Sequence, residues 1–189
     1  DSEDLALFQA SNVPESAALR VWRYLREGGI ENSVHLFTCL AAQYLGQNEY
    51  QWHEPKVVPK NTLYLPQQLA QTGQRAELGA TLKEWRSVWQ QRGSDDAPVC
   101  LLLFYRSHLQ NANTTMFDEL IDCLLAHNLN PLPLAIASLK DQESLALINQ
   151  LIEQSSARVV LNTTGFASNS ASLSGSEFSA ATAQGPSRF

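Results

Sequence analysis

The run VCLLLFY, Val99 to Tyr105, constrains this chain more than any other stretch. It is apolar or aromatic throughout, with no alternation. That is the composition of a strand covered on both faces, as in parallel sheets layered between helices. The residues after Tyr105 keep to that scheme. MFDELIDCLLAHNL reads as an amphipathic helix with Phe117, Leu120, Ile121, Leu124 and Leu125 on its apolar side. PLPLAIAS is a second strand, which Pro131 and Pro133 confine to a late start. DQESLALINQLIEQS is another helix, with Asp141 at its N-terminus where negative charge is favourable, and RVVLNTT is a third strand. The order β-α-β-α-β with short connections predicts parallel strands and right-handed crossovers. The expected fold class is α/β: half of a flavodoxin- or Rossmann-like sheet, incomplete, behind a helical hairpin.

The hairpin comes from PESAALRVWRYLREGG and ENSVHLFTCLAAQYLG. Pro14 suits a first helical turn, Leu19, Trp22 and Leu25 share one face, and Gly28 and Gly29 stop the helix. Asn32 or Ser33 caps the second helix, whose stripe is Val34, Phe37, Ala41 and Tyr44. Between Gln47 and Pro66 prolines break the pattern, with a brief extended segment in NTLYLP, and GATLKEWRSVWQQRG restores helical spacing through Leu82, Trp85 and Trp89. The organisation expected is a mainly helical segment with an irregular middle (1–97), a parallel α/β unit (98–166) and a flexible Ser/Ala-rich tail or loop (167–189). The chain starts at Asp1 without a methionine and stops in turn-like sequence, AQGPSRF, so it reads as a piece of a longer polypeptide.

A net charge of −6 argues against a nucleic-acid partner, which needs a concentrated basic face. No apolar run is long enough to span a bilayer, and no signal-peptide pattern opens the chain. Cys39, Cys100 and Cys123 are widely spaced within apolar segments, so neither a disulfide framework nor a zinc knuckle is expected and the cytoplasm is the default.

In an open parallel sheet, ligands gather beyond the carboxyl ends of the strands. Three such ends can be placed. The first, FYRSHLQNANTT, carries Arg106, His108, Asn113 and Thr114; the second, SLKD, carries Lys140 and Asp141; the third, NTTG, carries Asn162, Thr163 and Thr164. They form a polar rim with two readings. Asn113 to Thr115 are good helix caps, Arg106 can pair with a carboxylate, and a lone histidine is more often structural than catalytic. Alternatively, the rim faces a ligand or another domain. No phosphate loop, dinucleotide fingerprint, nucleophile elbow or HExxH occurs, and the four histidines lack helical ligand spacing. No catalytic residue and no metal ligand is assigned. The chemistry supports a binding or positioning module.

YLREGGIEN, LLFYRSHLQNANTTMFDELIDCLLAHNLNPLPLAIASLKD and VVLNTTGFA, in this order, resemble the large subunit of cobaltochelatase, the CobN type. That family also includes the porphyrin-binding H subunit of magnesium chelatase. The resemblance covers a little under half of the chain and points to an N-terminal portion of a very long subunit. It implies a complex that inserts a divalent metal into a tetrapyrrole while hydrolysing ATP with Mg2+. The large subunit holds the macrocycle, and smaller AAA+ type subunits supply the ATPase. For the cobalt branch the substrates are Co2+ and hydrogenobyrinic acid a,c-diamide, a corrin precursor of cobalamin. The endings ASLKD and LNTTGFA look more like the cobalt branch than the magnesium branch. The residues that assist metallation lie elsewhere in the family's chain, so none is carried over and no cofactor is expected on this piece. The alternatives are a magnesium chelatase H-type subunit and a stand-alone α/β module for a small ligand. Arg106 and His108 would then either donate to carboxylates or amides around a tetrapyrrole, or lock this region against another domain of the subunit.

Overall fold

The computed structural model describes residues 10, 12–69, 77–92 and 96–165. Helices α1 (Glu15–Glu27) and α2 (Ile30–Tyr44) form the expected hairpin. After an extended strap come β1 (Thr62–Leu65), β2 (Glu77–Ala80) and α3 (Leu82–Gln91). The α/β unit is then β3 (Val99–Tyr105), the short α4 (Ser107–Gln110), α5 (Thr115–Ala126), β4 (Asn130–Ile136), α6 (Gln142–Ser155) and β5 (Val159–Asn162). No helix among the described residues is long and apolar enough to cross a membrane. The expected tail, 167–189, lies outside the described residues.

The sheet has five strands in the order β2-β1-β4-β3-β5. β3 pairs in parallel with β4 on one side and β5 on the other, from Val99↔Asn130 to Tyr105↔Ile136 and from Cys100↔Val159 to Leu103↔Asn162. The fold is therefore α/β, with the three parallel strands read from the sequence at its centre. The crossover through α5 runs from β3 to one neighbour, and the crossover through α6 passes back over β3 to the other. Right-handed connections then put these helices on opposite faces. β1 adds antiparallel to β4, and β2 antiparallel to β1, which makes the sheet mixed.

β4 begins at Asn130, earlier than its two prolines suggest. The pleat explains why they are tolerated. Asn130 N–H points to the β3 side and donates to the Pro98 carbonyl, and the Ile136 carbonyl accepts from Arg106 N–H, so even-numbered residues of β4 direct their backbone groups to β3. Pro131 and Pro133 face the other way, and the β1 ladder is registered only at Leu134 and Ala135. The missing N–H groups thus fall where no strand needs them, and Trp89 Nε1 donates to the Pro131 carbonyl at 3.0 Å.

The main core lies on both faces of β3 and β4. Phe104 and Phe117 stack at 4.2 Å on the α5 side, with Tyr64 edge-on to Phe104. On α3, Trp85 and Trp89 are buried, and Trp85 Nε1 donates to the Tyr64 carbonyl at 3.1 Å. A smaller cluster of Tyr24, Leu36 and Cys39 holds the hairpin together. Burial pushes the Tyr24 phenol up to about 12, with Cys39 beside it a secondary cause, and its hydroxyl donates to the His53 carbonyl. The packed face of α2 therefore carries Asn32, Leu36 and Cys39, whereas Val34, Phe37 and Tyr44 of the expected stripe lie outside.

Candidate functional site

The carboxyl end of β3 does not open into solvent. Ser107 to Gln110 coil into α4, which meets the Gly-Gly turn of the hairpin. Gly29 N–H donates to the Gln110 carbonyl, and Gln110 Nε2 donates to the Arg26 carbonyl at 3.1 Å. Gly28 has φ 65° and ψ −162°, and a Cβ there would lie 2.4 Å from the Gln110 oxygen. Only glycine tolerates that backbone and that approach together.

The strap before β1 completes this seam. Asn32, buried in α2, exchanges hydrogen bonds with Lys56, accepting from its N–H and donating to its carbonyl, both at 2.8 Å. Buried Glu27 accepts from Val58 N–H, and Arg106 Nη1 donates to the Val58 carbonyl at 3.1 Å. Further along, Asn61 Oδ1 accepts from Ala137 N–H and from Ser144 Oγ. The strap is thus tied to the hairpin, to the end of β3 and to the end of β4. Lys60 adds salt bridges to Asp141 and Glu143. The Lys60 ammonium, then two bonds from Ser144, lower the Asp141 carboxyl from 3.8 to about 2. A depressed carboxylate stabilises the fold above its ordinary value and loses that contribution as pH falls through the folded value. Asp141→Asn is therefore expected to be less stable than the unaltered protein near pH 5, with the gap closing by about pH 2. Urea unfolding across that range checks this, and a gap independent of pH would contradict it.

The residues of the predicted rim take varied places. Arg106 holds the strap. The half-buried His108 ring stands edge-on to Phe117 at 4.9 Å. Asn113 N–H donates to the His108 carbonyl. Thr114 is the N-cap of α5 without a side-chain cap bond, and its Oγ1 reaches Asp118 Oδ2 at 3.4 Å. Thr163 donates through both N–H and Oγ1 to the Leu103 carbonyl, and Thr164 bonds back to Asn162 Oδ1. The β3 and β5 ends adjoin, at the point where the crossovers diverge.

Beside the seam lies a cleft of about 260 Å³. Its walls come from the Gly28–Gly29 turn, the strap at Lys56 and Val58, Tyr64 of β1, and the loop and first turn of α5. Thr114 is the rim member among its lining residues. Its charged groups are Glu31, bridged to Lys56 at 3.2 Å, and Asp118, which accepts from the Tyr64 hydroxyl at 2.7 Å. Among the described residues no group of three or more His, Cys, Asp or Glu could hold a metal ion. The cleft can accept hydrogen bonds and pack against apolar surface; Asn32 and Glu31 are bonded to Lys56, and Tyr64 and Thr114 to Asp118. Glu27, Val58, Asn61, Tyr64 and Asp118 carry no signal in the sequence, because each is defined by a partner distant in the chain. Asn32, three residues after the glycine pair, reads as a helix cap, but α2 starts at Ile30 with Gly29 as its N-cap, and the Asn32 side chain bonds to Gly28 and Lys56 instead.

Known proteins share this outline. The family model described as CobN/Magnesium Chelatase matches residues 22–185. The aerobic cobaltochelatase subunit CobN of Pseudomonas aeruginosa is 44% identical over 167 residues, covering 88% of this chain and 12% of that protein. The subunit of the same description from Sinorhizobium sp is 29% identical over 174 residues, covering 90% and 13% respectively. A solved structure, the catalytic subunit of cobaltochelatase from Mycobacterium tuberculosis, shares the fold with a TM-score of 0.59 at 22% identity, over 80% of this chain and 11% of that one. The chain thus spans about an eighth of the curated relatives it matches. With the family model covering most of its length, this chain belongs to the CobN/magnesium chelatase family.

Proposed function

We propose that this chain is an N-terminal portion of the large, tetrapyrrole-binding subunit of an ATP-dependent cobaltochelatase. In this reading the whole complex inserts Co2+ into hydrogenobyrinic acid a,c-diamide in cobalamin biosynthesis, in the cytoplasm. AAA+ type subunits hydrolyse ATP with Mg2+, and this portion positions other parts without catalysing alone. The observation that carries the proposal is the 44% identity to the Pseudomonas subunit across nearly the whole chain. The geometry supports a positioning role. Arg106 and Thr163 are spent on backbone carbonyls of this same chain, and Asp118 is bonded to Tyr64.

The test is reconstitution of the full-length subunit with its ATPase partners. ATP-dependent uptake of Co2+ by the corrin precursor is expected, monitored by the change in its absorption spectrum. Insertion of Mg2+ into protoporphyrin in place of this reaction would transfer the protein to the magnesium branch. Turnover by the isolated 189-residue chain would overturn the positioning role.

A further inference from the structure

The helical hairpin packs only one side of α2. On the opposite side Ile30, Val34, Phe37 and Tyr44 are half or more exposed, Phe37 at 69%, and Leu45 just beyond the helix stands at 72%. With half-buried Ala41 between, the positions 30, 34, 37, 41 and 44 alternate steps of four and three. That spacing is the a/d seam of a helix that packs against another helix by knobs into holes. From Asn32 to Asn48 the sequence contains no Asp, Glu, Lys or Arg. A solvent-facing helix side is ordinarily charged, whereas depletion of charge with enrichment in aromatic residues marks the centre of an interface.

We infer that this stripe is the docking face for an amphipathic helix of the same polypeptide, contributed from outside the 189 residues. The inference rests on the proposed large-subunit reading. Three observations select this occupant. The heptad spacing calls for a helix. The absence of charge calls for an apolar seam without ion-pair selection, which suits a permanent neighbour better than a partner that comes and goes. The relatives are about eight times longer than the region matched, so most of such a subunit is tethered to this helix and competes at high effective concentration. The stripe also lies across α2 from the Asn32–Lys56 bonds, so covering it leaves the seam to the sheet undisturbed.

The experiment places a photo-crosslinking phenylalanine analogue at Phe37 in the full-length subunit and maps the product by mass spectrometry. A crosslink at monomer mass, to a helix outside this region of the same molecule, is expected. In parallel, Phe37→Asp in the full-length subunit is expected to speed proteolytic release of this region by roughly tenfold or more, since it places a charge at the centre of the interface. A crosslink between two copies, a crosslink to an ATPase subunit, or none at all would overturn the inference, as would unchanged proteolysis. Cobalt insertion is measured separately on the unaltered complex. A crosslink in cis without insertion would count against the proposed function alone; insertion without the crosslink would count against the stripe alone.

Discussion

Gly28→Ala is expected to lower the free energy of unfolding by roughly 2–4 kcal/mol, the sum of backbone strain and the loss of a hydrogen bond at the seam. At φ 65° and ψ −162° the backbone occupies a region essentially reserved for glycine. The new methyl would also lie 2.4 Å from the Gln110 oxygen, a backbone atom that moves only if α4 moves. Relief requires the hairpin to lift from the end of β3, which breaks the bond from Gly29 N–H to Gln110. Gly46→Ala separates the two effects. It has a positive φ of 69° but nothing within 4 Å of its added Cβ. That variant is expected to lose about 1 kcal/mol through conformation alone. Urea midpoints for both, at unchanged m-value, check the difference. Equal losses would mean that close approach at Gln110 contributes nothing.

Trp85→Ala is expected to cost roughly 3–5 kcal/mol, the range for emptying a large aromatic site in a core. Trp85 is fully buried, and its indole N–H satisfies the Tyr64 carbonyl of β1. Truncation therefore leaves a cavity and also removes the Trp85 hydrogen bond to the Tyr64 carbonyl, and the second loss adds to the first. Against a typical total of about 5–15 kcal/mol, such a loss brings the fold close to unfolding. Trp85→Phe keeps most of the volume but not the donor, and is expected to lose about 1–3 kcal/mol. A loss below about 1 kcal/mol for alanine would mean that α3 does not fasten the β1–β2 extension to the sheet.

The centre of this fold was legible because its signals are local. VCLLLFY has no polar residue to place it at a surface, and Phe117, Ile121 and the helix before β5 repeat at helical spacing. The edges were not. Glu77–Ala80 carries a glycine and one large apolar residue, so nothing in its own sequence distinguishes it from a turn; β1 makes it a strand. Pro131 and Pro133 argue against a strand until it is known that β1 registers only beyond them. Periodicity in α2 identified an apolar face, but its partner is a tertiary fact, and the hairpin packs through Asn32, Leu36 and Cys39 instead. The strand-end polar residues were found by position. Their partners were not, since Arg106 bonds to Val58, 48 residues earlier, through a carbonyl that any residue would offer.

The end of β3 joins the hairpin and strap to the sheet, and under the proposed function it acts on the reaction only through that junction. Arg106→Ala in the full-length subunit tests it most directly, with backbone amide exchange at Val58 and Gly29 measured alongside cobalt insertion. Exchange at both amides is expected to quicken, with insertion falling only as far as the junction loosens. Insertion reduced a hundredfold or more with exchange unchanged would contradict it, and would place the Arg106 guanidinium on the macrocycle itself.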